Sequence, residues 1–125
     1  MLHAVLIFIG GGLGATGRHY AGQMALRFFG PSFPYGTMLV NILGSLLMGL
    51  FIGWLVHRGG SENLRLFFAT GLLGGFTTFS AYSLDAALLW QRGEMMAAFY
   101  YVAGTVVLCL LAVFAGLALA KTQTV

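Results

Sequence analysis

Residues 95–120 read MMAAFYYVAGTVVLCLLAVFAGLALA, 26 positions without one charged side chain. A helix needs about 20 predominantly apolar residues to cross the hydrocarbon core of a bilayer, so this stretch is long enough to span. The rest of the chain repeats the pattern. Leu66 to Leu84 gives 19 uncharged residues, and Gly36 to Val56 is the apolar part of the 34 residues between Arg27 and Glu62. The first segment is apolar from Leu2 to Gly17, where it meets Arg18. The expected fold is therefore an all-α membrane protein. It is a single four-helix transmembrane domain over residues 1–125, with spans at about 2–26, 36–56, 64–90 and 95–120.

Composition points the same way. The 125 residues are 59% apolar and 7% charged, whereas a soluble domain carries roughly 25% charged residues. Such a chain cannot cover a globular surface, which excludes a soluble enzyme and a disordered tail. The net charge of +3 comes from six Lys and Arg residues. They stand singly, so no basic stripe grips a nucleic acid. The lone Cys109 makes no intrachain disulfide. Met1-Leu2-His3 lacks a basic leader region, so no removable signal peptide is expected. Gly30-Pro31 with Pro34, then 57–61, then 91–94 supply short breaker-rich turns. They place successive helices antiparallel and leave no soluble appendage for a protein partner.

Lys and Arg in the flanking loops normally orient such a chain. Arg58, Arg65 and Lys121 fall on one side; Arg18, Arg27 and Arg92 fall on the other. This tie fits either the weak bias of a small chain or insertion in both directions with pairing as an antiparallel dimer. Four short helices enclose little room for an aqueous path, which favours an oligomer.

The polar residues are concentrated. Gly10 with Gly14, Gly49 with Gly53, and Gly71 with Gly75 have the spacing that lets helix backbones approach closely. In the third span, residues 71–80 read GLLGGFTTFS, three glycines and three hydroxyl residues in an otherwise apolar run. Glycine loosens a helix and threonine hydroxyls re-satisfy freed backbone groups, so a break near the bilayer midplane is expected. Freed carbonyls suit a cation; freed N–H groups suit an anion. Thr37, Asn41, Gly44, Ser45 and Met48 share one face of the second span. Asn41 serves there either as interhelical glue or as a ligand for a passing solute. Tyr101, Thr105 and Cys109 form a thin polar track on the fourth.

No Asp, Glu or Lys lies at the centre of a span, and His3, His19 and His57 sit near span ends. No nucleophile–base pair, phosphate loop or metal-ligand spacing occurs, so no enzyme is expected. An uncharged path rich in donors favours an anion over a cation. The rings of Phe76 and Phe79 either present their positive edges to it or pack as ordinary core or lipid-facing groups.

Three motifs in this order resemble those of the small bacterial fluoride channels: Gly14-Ala15-Thr16-Gly17-Arg18, Gly36-Thr37-Met38-Leu39-Val40-Asn41 with Gly44, and Gly74-Gly75-Phe76-Thr77-Thr78-Phe79-Ser80. The resemblance covers essentially the whole chain. It implies a passive fluoride-selective channel in the bacterial plasma (inner) membrane, multi-pass, built as an antiparallel dual-topology homodimer with two pores in membrane lipid. It further implies that Asn41, Phe76 and Phe79 line the ion path with Thr37, and that Thr78 and Ser80 contribute donors. Arg18 would lie near the vestibule. Backbone carbonyls at the helix break, placed at Gly71 and Leu72, would hold a structural sodium ion at the dimer interface. Tyr101 and Thr105 match path residues of the fourth helix by spacing, and Cys109 stands where a serine is expected. Two other classes compete. A small multidrug exporter needs an acid in its first span, and residues 2–17 have none. A non-transporting scaffold explains the glycine spacing but not the clustered hydroxyls.

Overall fold

The computed structural model describes residues 1–123, and every regular element among them is helical. Helix α1 runs from Leu2–Phe29 and α2 from Tyr35–Arg58. The third stretch is in two pieces, α3 at 62–76 and α4 at Phe79–Gln91. Helix α5 is Met95–Gln123. The boundaries follow local chemistry. Pro31 and Pro34 have no N–H to continue α1, and α2 starts directly after Pro34. Gly59 ends α2 in the left-handed conformation, φ 63°, with its N–H returned to the Leu55 carbonyl. Ser61 opens α3 by accepting the Leu64 N–H at 3.3 Å. Within α3, Arg65–Leu73 winds in wide π-helical turns, a rare geometry that is frequent at functional sites.

Two seams of small residues assemble these rods, α1 on α3 and α2 on α5. A Cβ added to Gly71 would lie 3.1 Å from the Gly10 Cα, and one on Gly75 only 3.0 Å from the Gly11 Cα. On the second seam, a Cβ on Gly49 would lie 3.1 Å from the Gly116 Cα. One on Gly116 would come within 2.7 Å of the Leu50 nitrogen. All three glycine pairs picked out by their spacing thus stand against a neighbouring helix. Backbone contact replaces side-chain interdigitation, which suits lipid, where apolar side chains gain nothing by leaving the solvent.

The surface is turned inside out relative to a water-soluble fold. Phe8 is 82% exposed and Phe114 66%, while Asn41 and Thr105 are buried. Contiguous apolar exposure of this kind needs a membrane or another chain to cover it. Helix α2 and the stretch Met95–Lys121 are each long and apolar enough to cross a bilayer. The chain is a membrane protein.

The seams predict a contrast between two glycines. Gly116→Ala forces backbone against backbone and should cost about 1–3 kcal/mol. It should lower the thermal unfolding midpoint in detergent. Gly22→Ala meets nothing within 4 Å and should leave the midpoint unchanged or raise it. Equal effects of the two would refute the seam.

Candidate functional site

The break between α3 and α4 is two residues long. Thr77 (φ −87°, ψ 158°) and Thr78 (φ −153°, ψ 124°) are fully extended. In an extended residue the N–H and C=O point to the same side, as along a β-ladder. Asn41 of α2 meets both: its Oδ1 accepts the Thr78 N–H at 2.7 Å, and its Nδ2 donates to the Thr78 carbonyl at 3.0 Å. The amide orientation is fixed by this pairing, since only the oxygen can accept and only the nitrogen can donate. Asn41 is therefore interhelical glue, with one Nδ2 proton left for another acceptor.

Other side chains satisfy the rest of the break. The Thr77 hydroxyl and N–H both donate to the Leu73 carbonyl at 3.0 Å. The Thr78 hydroxyl accepts the Ala81 N–H, capping α4, and pairs with the Ser80 hydroxyl at 3.2 Å. From α1, the Arg18 Nε donates to the Gly75 carbonyl at 3.1 Å. A cation there sits at the negative end of α3. Two carbonyls lose their helical donors: the N–H groups that would meet Gly74 and Thr77, those of Thr78 and Ala81, go to Asn41 and the Thr78 hydroxyl.

The carbonyls expected to be freed, those of Gly71 and Leu72, lie earlier. Gly71 accepts the Gly74 N–H. The Leu72 carbonyl faces Gly14 of α1 so closely that a Cβ there would overlap it. The glycines at 71 and 75 pack against α1; the threonines unwind.

Beside the break lies a cavity of about 250 Å³, lined by Asn41, Ser45, Thr77, Thr78, Phe79, Tyr82, Thr105, Val106 and Cys109. Among the described residues no charged side chain lines it. The Thr105 Oγ1 is buried and has no hydrogen-bond partner among the described residues. The Tyr82 hydroxyl is engaged, donating to the Val102 carbonyl at 2.8 Å.

The remaining residues singled out from the sequence are distributed around this cavity. Thr37 opens instead into a cleft of about 350 Å³ near the loop between α1 and α2, with Asp85 and Arg92. Tyr101 is fully buried between the two spaces. Its hydroxyl donates to the Asp85 carboxylate at 3.2 Å, and its ring touches Phe33 of the cleft and Tyr82 of the cavity. Phe76 lines a third, apolar space with Leu39, Val40 and Leu43. Phe79 lines the cavity beside the break instead and is 78% exposed. Tyr82 and Asp85 were missed by sequence reasoning. Tyr82 lies one turn beyond Phe79 and was discoverable by helical spacing alone.

Removing the Asn41 amide should expose the break. Asn41→Leu leaves the Thr78 N–H without a partner, at about 1–3 kcal/mol, while the Thr78 carbonyl keeps the first intrahelical bond of α4. Hydrogen exchange at the Thr78 amide should accelerate by at least tenfold while amides in the middle of α5 keep their protection. Unchanged exchange at Thr78 would show that the pairing does not hold the break.

Residues 5–117 match the family described as CrcB-like protein, camphor resistance. The protein named fluoride-specific ion channel FluC of Mesorhizobium japonicum is 52% identical over 122 residues, covering 98% of both chains. A protein of Nitrobacter hamburgensis named fluoride-specific ion channel FluC 2 is 52% identical over 124 residues, 98% of this chain and 100% of its own. The FluC protein of Novosphingobium aromaticivorans is 49% identical over 123 residues, 97% and 98% of the two chains. With that match across nearly its whole length, the chain belongs to the CrcB family.

Proposed function

We propose that this protein is a fluoride channel, a passive conductor and not an enzyme, whose ion path runs through the cavity beside the broken helix. The observation that carries this reading is the unpartnered Thr105 hydroxyl beside an uncharged, largely apolar cavity whose walls include Asn41, Thr77 and Thr78. A buried hydroxyl without a partner costs about 1–3 kcal/mol, and rotation of the Thr105 side chain into the cavity would remove that cost by offering the hydroxyl to a passing acceptor. The names of the relatives support fluoride as that acceptor.

The local electrostatics suit an anion without trapping it. Helix α4 begins at the break, and its first N–H groups have no intrahelical acceptor. That end carries about half a positive charge. The spare Nδ2 proton of Asn41, the hydroxyl of Thr105 and the edges of the Phe79 and Tyr82 rings add donors of modest strength. Conduction requires binding firm enough to strip water yet weak enough to release the ion. Neutral donors meet that requirement better than a buried arginine would. In this reading Thr78 and Ser80 act at the cavity's rim, Thr37 and Tyr101 act toward the cleft, and Arg18 acts on the Gly75 carbonyl.

The same proposal includes four spans, insertion in both directions, and an antiparallel homodimer in the bacterial inner membrane. The three-against-three charge count supports dual insertion. The exposed Phe79, with Phe76 facing elsewhere, supports a second chain that completes the path. A structural sodium ion fits the donor chemistry at Gly74 and Thr77, whose carbonyls have lost their helical partners; unwound carbonyls of this kind hold alkali cations in other membrane proteins. Two oxygens are too few to hold a hard cation, so a second copy would have to add its own pair at the dimer interface.

Proteoliposomes loaded with fluoride and chloride should release fluoride rapidly and retain chloride, as read by ion-selective electrodes. Thr105→Val keeps the shape and removes the orphaned hydroxyl. It should raise stability by about 1 kcal/mol while lowering fluoride flux at least tenfold. No fluoride release from folded protein would sink the channel reading; full flux in the valine variant would take Thr105 out of the path.

A further inference from the structure

A second cavity is apolar and lies away from the break. It occupies about 470 Å³ between α2, α3 and α5, and Leu47, Phe51, Trp54, Phe68, Leu72 and Ala120 are among its walls. The rings of Phe51 and Phe68 sit 5.4 Å apart, and Trp54 stands 6.0 Å from Phe51. Trp54 is 41% exposed, marking the open end of the groove.

That end is basic. Arg58 follows Trp54 by one helical turn, Arg65 precedes Phe68 by three residues, and Lys121 follows Ala120 directly. The three helices thus bring half of the chain's six Lys and Arg residues to the mouth of one apolar groove. Glu62 lies 3.8 Å from Arg65, a loose and exposed contact of little strength. At roughly 30 Å³ per methylene, the share a water molecule takes in the liquid, the groove has room for about sixteen carbons. An aromatic side chain at the mouth matches the headgroup level of a bilayer.

We infer that this groove is a binding site for an anionic phospholipid, with one acyl chain between Phe51, Phe68 and Leu72 and the phosphate between Arg58 and Arg65. An apolar slot with a cationic rim recognises that combination and neither half alone. A zwitterionic lipid offers the chain without net charge; a free phosphate offers charge without the chain. The inference requires that the protein spans a membrane and is independent of whether it conducts fluoride.

Trp54 is one of two tryptophans, so Trp90→Phe leaves it as the sole reporter. The protein is reconstituted with phosphatidylglycerol or phosphatidylcholine carrying brominated acyl chains, each diluted in unbrominated phosphatidylcholine. Brominated phosphatidylglycerol should quench Trp54 at a severalfold lower mole fraction than brominated phosphatidylcholine. Each arginine near an anionic headgroup contributes about fivefold. Arg58→Gln with Arg65→Gln should therefore abolish that severalfold preference while the fold, followed by circular dichroism, persists. Leu47→Phe, which narrows the groove without changing charge, should reduce quenching by both lipids. Equal quenching by the two lipids, a preference untouched by the double substitution, or quenching untouched by Leu47→Phe would each overturn the site. No quenching by either lipid would also overturn it, showing that a second copy of the chain covers the groove. Fluoride release from the same vesicles, read separately, distinguishes failure of this site from failure of the channel.

Discussion

The pairing of one side-chain amide with one peptide group holds the centre of this protein. A helix broken inside apolar surroundings leaves N–H and C=O groups that water cannot reach. Here Thr78 turns both of its groups toward Asn41, and the asparagine answers each with the complementary atom. The Arg18 guanidinium takes the Gly75 carbonyl and the Thr77 hydroxyl takes that of Leu73. Side chains from α1, α2 and the broken segment itself thus share the satisfaction of one two-residue gap, so the gap is a structural element and not a defect.

The glycine seams make that arrangement reachable. Asn41 can contact Thr78 only if α2 lies close to the break, and Gly44, one turn along, has no side chain where the Thr77 methyl sits. A Cβ at Gly44 would collide with that methyl and push the amide away from its peptide. The spacing of Asn41 and Gly44 therefore has a physical meaning: one residue bonds the extended backbone and the other receives its side chain. On the opposite side, Gly10 and Gly14 let α1 approach α3 until Arg18 reaches across to Gly75. Packing and polar satisfaction are one problem here, solved by the same few positions.

Much of this is written in the chain. The apolar stretches 36–56 and 95–120 fall in two helices long and apolar enough to cross a bilayer, and the run 71–80, dense in glycine and threonine, contains the extended pair Thr77 and Thr78. The register of the break was not legible. Glycine loosens a helix in isolation, but Gly71 and Gly75 are held helical by their contact with α1. The adjacent threonines leave the helix because their branched side chains favour extended backbone and their hydroxyls offer it alternative partners. Helical periodicity put Thr37 and Asn41 on one face, which is correct. It could not show that Tyr101 from another helix divides that face into two spaces. Whether Asn41 bonds protein or solute was likewise undecidable, because its partner lies 37 positions away.

The distribution of unused hydrogen-bonding capacity is what bears most directly on the proposed fluoride path. Around the cavity, the acceptor of Asn41 and one of its protons are committed to Thr78, the Thr77 hydroxyl to Leu73, and the Tyr82 hydroxyl to Val102. What remains uncommitted includes one amide proton, the Thr105 hydroxyl and the thiol of Cys109. A cation would find no carboxylate there. Water would find acceptors and donors together, but only in a space that its own hydrogen bonds must help to fill. An ion that accepts on every side uses each leftover donor and asks for nothing in return. The smaller that ion, the closer the donors approach and the more of its hydration they replace. In this arrangement selection against larger halides comes from how near neutral groups can stand, with no fixed charge required.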